Sequence, residues 1–312
     1  MTPNKPGPIT PTSTIGIVAP ASATLDQADN LKGVRELELR GMKVVLDIHS
    51  NEKDGYLSAP DNLRARALNS MIADPDIDAI FCLRGGYGCV RILELIDYDT
   101  AQSNPKLIVG YSDITALHCA LYQRAGWTAL HGPMVAVDWP EIGNETEEIF
   151  WSVASGNILA PLPSPGGHQL VSFRTGLAEG PLIGGNLSTL VRLLGTPYFP
   201  DLNGAILFLE DVGEAPYRLD AMFAQLRLAG VLDKLSGLVL GAFTECEPPP
   251  DRPSLTFNRI LDDYFGDAQY PVATDLLYGH IPVKSAIPFG IRAKLETNEN
   301  QAILSMLESV VT

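Results

Sequence analysis

A chain of 312 residues with 46% hydrophobic and 19% charged side chains can bury a sizeable core, which argues against disorder and suggests one large or two ordinary domains. A formal net charge of -15 repels phosphate backbones, and no basic cluster offsets it, so nucleic acid and anionic membrane surfaces make poor partners. The opening residues 1–8 are polar and proline-rich without the apolar core of a signal peptide, and no apolar run reaches membrane-spanning length.

In chain order, residues 14–20 predict a strand that ends in a turn. Residues 26–40, with Leu31, Val34, Leu37 and Leu39, predict a helix closed by Gly41. A strand over 43–46, a polar loop over 51–60, a helix over 61–73 and a strand over 79–83 follow. Arg84-Gly85-Gly86-Tyr87-Gly88 comes next, before a helix over 89–96. Its glycines allow either a tight turn or close backbone approach to a ligand, and neither a dinucleotide nor a P-loop spacing is present. The apolar run 107–110 then leads into Tyr111-Ser112-Asp113 and a new helix. Alternating short apolar strands and helices predict an α/β fold, here a doubly wound and mainly parallel sheet. Sites in such sheets gather at the carboxyl ends of the strands, which puts the Arg84 and Ser112 loops on one edge.

A strand over 128–130, His131-Gly132-Pro133-Met134 and a helix over 145–153 complete this N-terminal domain, residues 1–154. Prolines and glycines in 155–180 read as a linker. The C-terminal domain, residues 181–312, is α/β and richer in short strands. Within it Gly184-Gly185-Asn186 leads a helix, a buried strand over 205–209 runs into Glu210-Asp211, and a helix over 217–229 follows. A strand over 238–241, a helix over 254–265 and short strands and turns around Gly279-His280 finish the chain.

Ser112 sits at the apex of a strand–turn–helix, where it either caps the helix or projects an activated hydroxyl beside unpaired N–H groups. An attacking serine needs a base and a group that orients the base. Of the five histidines, His49 and His168 lie in polar loops and His118 lies on the helix after Ser112, on a different face. His131 follows a strand end, and His280 sits between Gly279 and Pro282 in a loop of defined shape. Glu210 reads either as a solvated or capping carboxylate or as a site residue. The four cysteines form no C-x-x-C pair, and three lie in apolar contexts, as buried thiols of a cytosolic protein do. No H-e-x-x-h metal motif occurs.

Taken together, seven segments resemble the LD-carboxypeptidase family of serine peptidases, which includes the microcin C immunity-type peptidases. They are Asp74-Pro75 with Ala79-Ile80, Arg84-Gly85-Gly86-Tyr87-Gly88, Gly110-Tyr111-Ser112-Asp113-Ile114-Thr115 and His131-Gly132-Pro133-Met134 in the first half. Gly184-Gly185-Asn186-Leu187, Leu209-Glu210-Asp211 with Pro216-Tyr217-Arg218, and Gly279-His280 follow in the family's order. The resemblance implies Ser112 as nucleophile, His280 as general base, Glu210 as the orienting carboxylate, and the backbone N–H groups of Gly86 and Asp113 as the oxyanion hole. It implies removal of the terminal D-alanine from murein tetrapeptide, in the cytoplasm, during cell-wall recycling, by a homodimer that needs no cofactor or metal. Arg84 and Arg218, in matching motifs, are candidates for the substrate's free carboxylate or for structural ion pairs. One departure is the stretch 281–286, which is less polar than the family's usual one. An amidase acting on aminoacyl-nucleotide would need an aromatic shelf, which Trp127, Trp139 and Trp151 do not obviously supply. A non-catalytic small-molecule binding protein would share the same sheet and glycine loops.

Overall fold

The computed structural model describes residues 3–24, 26–49, 52–248 and 251–312. Residues 1 and 2 of the polar opening and Asn51 of the predicted loop lie outside the described residues. The first half runs β1 (Thr14–Val18), α1 (Gln27–Leu39), β2 (Lys43–Leu46), α2 (Asp61–Ala73), β3 (Ala79–Cys82), α3 (Cys89–Ile92), α4 (Tyr98–Ser103), β4 (Leu107–Gly110), α5 (Thr115–Ala125), β5 (Ala129–His131) and α6 (Asn144–Ala154). The second runs β6 (Val171–Arg174), β7 (Gly176–Asn186), α7 (Leu187–Arg192), β8 (Ile206–Val212), α8 (Pro216–Leu228), β9 (Gly237–Thr244), α9 (Phe257–Phe265), β10 (Val272–Thr274), β11 (Ile287–Phe289), β12 (Arg292–Thr297) and β13 (Ala302–Met306).

The predicted α/β class holds, with two sheets. The first has the order β11-β5-β4-β3-β1-β2, and β1 to β5 are parallel throughout. Every residue of β3 and β4 is buried, as expected of central strands covered on both faces. Alternate residues feed different cores: Ile80 and Ile108 pack into one, Phe81 and Val109 into the other. The second sheet has the order β13-β12-β7-β8-β9-β10-β6, with β7 to β10 parallel and antiparallel strands at both margins. One apolar core joins the two sheets, from Ile108 and Leu117 to Phe208 and Leu240.

Several boundaries moved. The stretch 155–180 is not all passage, because β6 and the start of β7 lie in it and pair within the second sheet. Strand β11 crosses back and pairs antiparallel with β5 of the first sheet, Ile287 opposite His131. Strand β8 continues to Val212, so Glu210 and Asp211 lie inside it rather than after it. The helix predicted over 89–96 is α3 followed by a tighter turn at Leu93–Leu95. Among the described residues, no helix is long and apolar enough to cross a membrane.

Candidate active site

Strand β4 ends at Gly110, and the chain turns at Tyr111 into a short 3-10 turn, Ser112–Ile114, that opens α5. Ser112 has φ of 64°, in the left-handed region that a residue with a Cβ rarely occupies. Such strain costs about 1–3 kcal/mol and persists only where the surroundings impose it. Here it holds a half-buried hydroxyl out of the turn. The Arg84–Gly88 loop lies against it. Gly86, at φ of 110°, has no room for a Cβ, which would collide with the Ser22 side chain. Ser22 Oγ accepts from Tyr87 N at 3.0 Å, and Asp113 Oδ2 accepts from Cys89 N at 2.8 Å, so the C-terminal end of this loop is pinned. Among the described residues the N–H groups of Gly86 and Asp113 have no protein acceptor. Burial raises the carboxyl pKa of Asp113.

The second sheet brings its strand ends to the same place. Glu210 is fully buried in β8, and its Oε2 accepts from His280 Nδ1 at 2.8 Å. An ionised carboxylate can only accept, so the His280 proton sits on Nδ1 and Nε2 is left as an acceptor. His280 Nε2 lies 3.0 Å from Ser112 Oγ, in reach of the hydroxyl proton. The pairing of β8 with β9 shifts register across Glu210, the extra residue lying in β9, and the adjacent Glu210 and Asp211 both reach Asn186. Asn186 Nδ2 donates to Glu210 Oε1 at 3.1 Å and to Asp211 Oδ1 at 3.0 Å. Its Oδ1 accepts from Ser188 and Thr189, and its backbone N–H donates to Thr115 Oγ1 at 3.0 Å, at the start of α5. Burial, reinforced by Glu210, pushes the Asp211 carboxyl up to about 6. At Gly279, φ of 119°, a Cβ would lie 2.6 Å from Glu210 Oε2, so this position admits the base only without a side chain before it.

This arrangement can deprotonate a hydroxyl and hold the resulting imidazolium against a carboxylate. Comparison with known proteins identifies the family. Residues 15–132 match the LD-carboxypeptidase N-terminal domain and 179–295 the LD-carboxypeptidase C-terminal domain. A probable murein peptide carboxypeptidase of Bacillus subtilis is 34% identical, over 96% of this chain and 94% of that one. The chain belongs to the LD-carboxypeptidase family. It is a hydrolase of the serine carboxypeptidase type. A muramoyltetrapeptide carboxypeptidase from Oxalobacter formigenes is 31% identical with a TM-score of 0.84, over 94% of this chain and 98% of that one. The microcin C7 self-immunity protein MccF, solved with glutamyl sulfamoyl guanosine, has a TM-score of 0.89 at 26% identity, over 99% of this chain and 100% of that one.

Not every candidate converges on this site of the family member. Arg84 Nη1 donates to the Ala23 carbonyl at 3.1 Å, and its buried Nε lacks a partner among the described residues. Arg218 is exposed on the first turn of α8 and faces Glu214 at 3.4 Å. His131 lies within β5, not after it, and is fully buried between Tyr278 Oη at 2.7 Å and His118 at 2.9 Å. Burial pushes the His118 ring down to about 3 and His131 well below its ordinary value. Among the described residues, no cluster of three or more His, Cys, Asp or Glu could hold a metal ion, and the four cysteines are buried and free. Sequence reading passed over Asn186 as a hub, because its acidic partners come from a strand 24 and 25 residues away. It also missed Lys284, buried in the stretch noted above for its reduced polarity.

Proposed function

We propose that this chain removes the terminal D-alanine from murein tetrapeptide, cleaving its bond to the L-centre of a diamino acid. The observation that carries the reading is the continuous line from Glu210 Oε2 to His280, 2.8 Å, and from His280 to Ser112 Oγ, 3.0 Å. In this reading His280 Nε2 takes the Ser112 proton as Oγ attacks the peptide carbonyl. The N–H groups of Gly86 and Asp113 receive the oxyanion, and Glu210 balances the imidazolium. His280 then hands its proton to the departing D-alanine nitrogen, leaving an acyl-enzyme on Ser112. A water, deprotonated by His280, hydrolyses that ester and restores the serine.

Arg84 and Arg218 are the cations proposed to meet the substrate's terminal carboxylate. Arg84 has the stronger support, because it directly precedes the Gly85-Gly86 turn and keeps an unused buried donor. The names of the Bacillus and Oxalobacter relatives support the murein peptide as substrate. Cell-wall recycling in the cytoplasm by a homodimer belongs to the same proposal. The domain division at 155–180 belongs to the same reading, with Ser112 supplied by one half and Glu210 and His280 by the other.

A second reading, amide cleavage of an aminoacyl-nucleotide, draws on the likeness to MccF. It lacks a nucleobase shelf made of tryptophan: Trp127 and Trp139 are fully buried, and Trp151 packs against Trp139 and Phe150. The experiment is incubation with murein tetrapeptide and mass-spectrometric detection of D-alanine, with Ser112→Ala as control. Release by the wild type alone supports the reading. No release, or equal release by the variant, overturns it. A binding protein would keep its ligand affinity in Ser112→Ala.

A further inference from the structure

Lys284 is an ammonium group only 3% exposed, four residues beyond His280 on the same loop. A charge in such a place survives only when paired and hydrogen-bonded. Its Nζ lies 2.7 Å from Asp138 Oδ1 and 2.9 Å from Tyr111 Oη, and 4.1 Å from the centre of the Tyr111 ring. Both partners belong to the first half of the chain. Asp138 is itself fixed, because its Oδ2 accepts from Met134 N at 2.8 Å. Tyr111 is the residue before Ser112, and its ring stands edge-on to the His280 ring with centroids 5.2 Å apart. The loop is tied on its other side by Ser285 N donating to the Leu277 carbonyl at 2.7 Å.

We propose that Lys284 is a positioning residue that sets the separation of Ser112 and His280. The loop that carries the imidazole comes from the second half, and the hydroxyl from the first. Lys284 bridges the two at a point one residue from the serine, and the Tyr111 ring wedged beneath it braces the imidazole. The bridge is short, charged and largely buried, so it resists the sliding of one half on the other. The inference rests on the catalytic reading of Ser112 and His280.

The test uses a fluorophosphonate, which reacts with an activated serine whatever the natural substrate, together with D-alanine release from murein tetrapeptide. Lys284→Met should slow both the labelling of Ser112 and kcat by about tenfold to hundredfold, with KM within about twofold, because misplacement near 1 Å is felt in the chemical step. That variant leaves Asp138 buried beside an apolar chain, so a second variant, Lys284→Met with Asp138→Asn, removes the lone charge. The double variant should regain thermal stability and stay slow in labelling and in kcat. Tyr111→Phe, which keeps the ring and deletes one partner, should lose less than Lys284→Met. Wild-type labelling speed in the double variant, or a loss confined to KM, overturns the proposal while leaving the triad standing. Failure of the wild type to label overturns the triad and the proposal with it. Labelling without D-alanine release overturns the murein substrate, and the labelling rates still decide the role of Lys284.

Discussion

The two sheet edges that meet at Ser112 are held in different ways. On the first, the main chain does the positioning: a left-handed Ser112, a glycine loop pressed against it and two N–H groups without protein acceptors among the described residues. On the second, side chains do it: Glu210, Asp211, Asn186 and His280 form one hydrogen-bonded group, buried except at the His280 ring, whose geometry no single backbone torsion fixes. The difference teaches where each half is vulnerable. A backbone-built edge fails when a torsion is relaxed, and a side-chain-built edge fails when one donor is removed and its partners are left unsatisfied.

Substitutions can sharpen that contrast. The largest effect is expected from Ser112→Gly, which should cut D-alanine release by at least about ten-thousand-fold. The same change relieves the torsional strain, and urea unfolding should show a gain of about 1 kcal/mol. A loss of stability would mean that the elbow is not strained. On the other edge, Gly279→Ala pushes a methyl against Glu210 and should lower kcat by about a hundredfold in steady-state assays. Asn186→Leu strips the carboxylates of their shared donor. It should lower kcat by about tenfold and cost about 1–3 kcal/mol in chemical denaturation. Returning to the first edge, Ser22→Ala removes the acceptor for Tyr87 N and should lower kcat by about fivefold with stability nearly unchanged.

The smallest effect at neutral pH concerns buried titrating groups behind the site. His118 and His131 are held neutral by burial, so the folded state binds fewer protons than the unfolded one below about pH 6.5. Their stabilisation is fully present above that pH and fades as pH falls toward the folded value of about 3 for His118, each histidine contributing up to about 1.4 kcal/mol per pH unit. Asp211 acts with the opposite sign. Its raised pKa, about 6, favours folding below the ordinary carboxylate range and is lost as pH rises through 6. Asp211→Asn should therefore steepen the fall of Tm between about pH 6 and pH 4. An unchanged slope would show that Asp211 is ionised across that range.

Much of the first edge was legible because its signals are local. Buried runs at 79–82 and 107–110 announced parallel strands, and Ser112 follows its strand within two residues. The second edge was legible only in pieces. The contact between His280 and Ser112 spans 168 residues, and periodicity carries no information about which loop lands on which strand end. The resemblance to a family supplied that pairing. Glu210 was expected after its strand, whereas the strand runs on to Val212. Lys284 was lost among apolar neighbours, since a lysine in such a run reads as exposed until its partners, 146 and 173 residues earlier, are known.

Strand β11 has a consequence for biosynthesis. The sheet that carries the serine keeps an open edge along β5 until residues 287–289 have left the ribosome, and Thr128 waits longer still for the Val310 carbonyl. A nascent chain thus cannot finish its first layer before nearly all of its second has been translated. A product truncated before residue 287 would lack the strand that closes this edge of the layer.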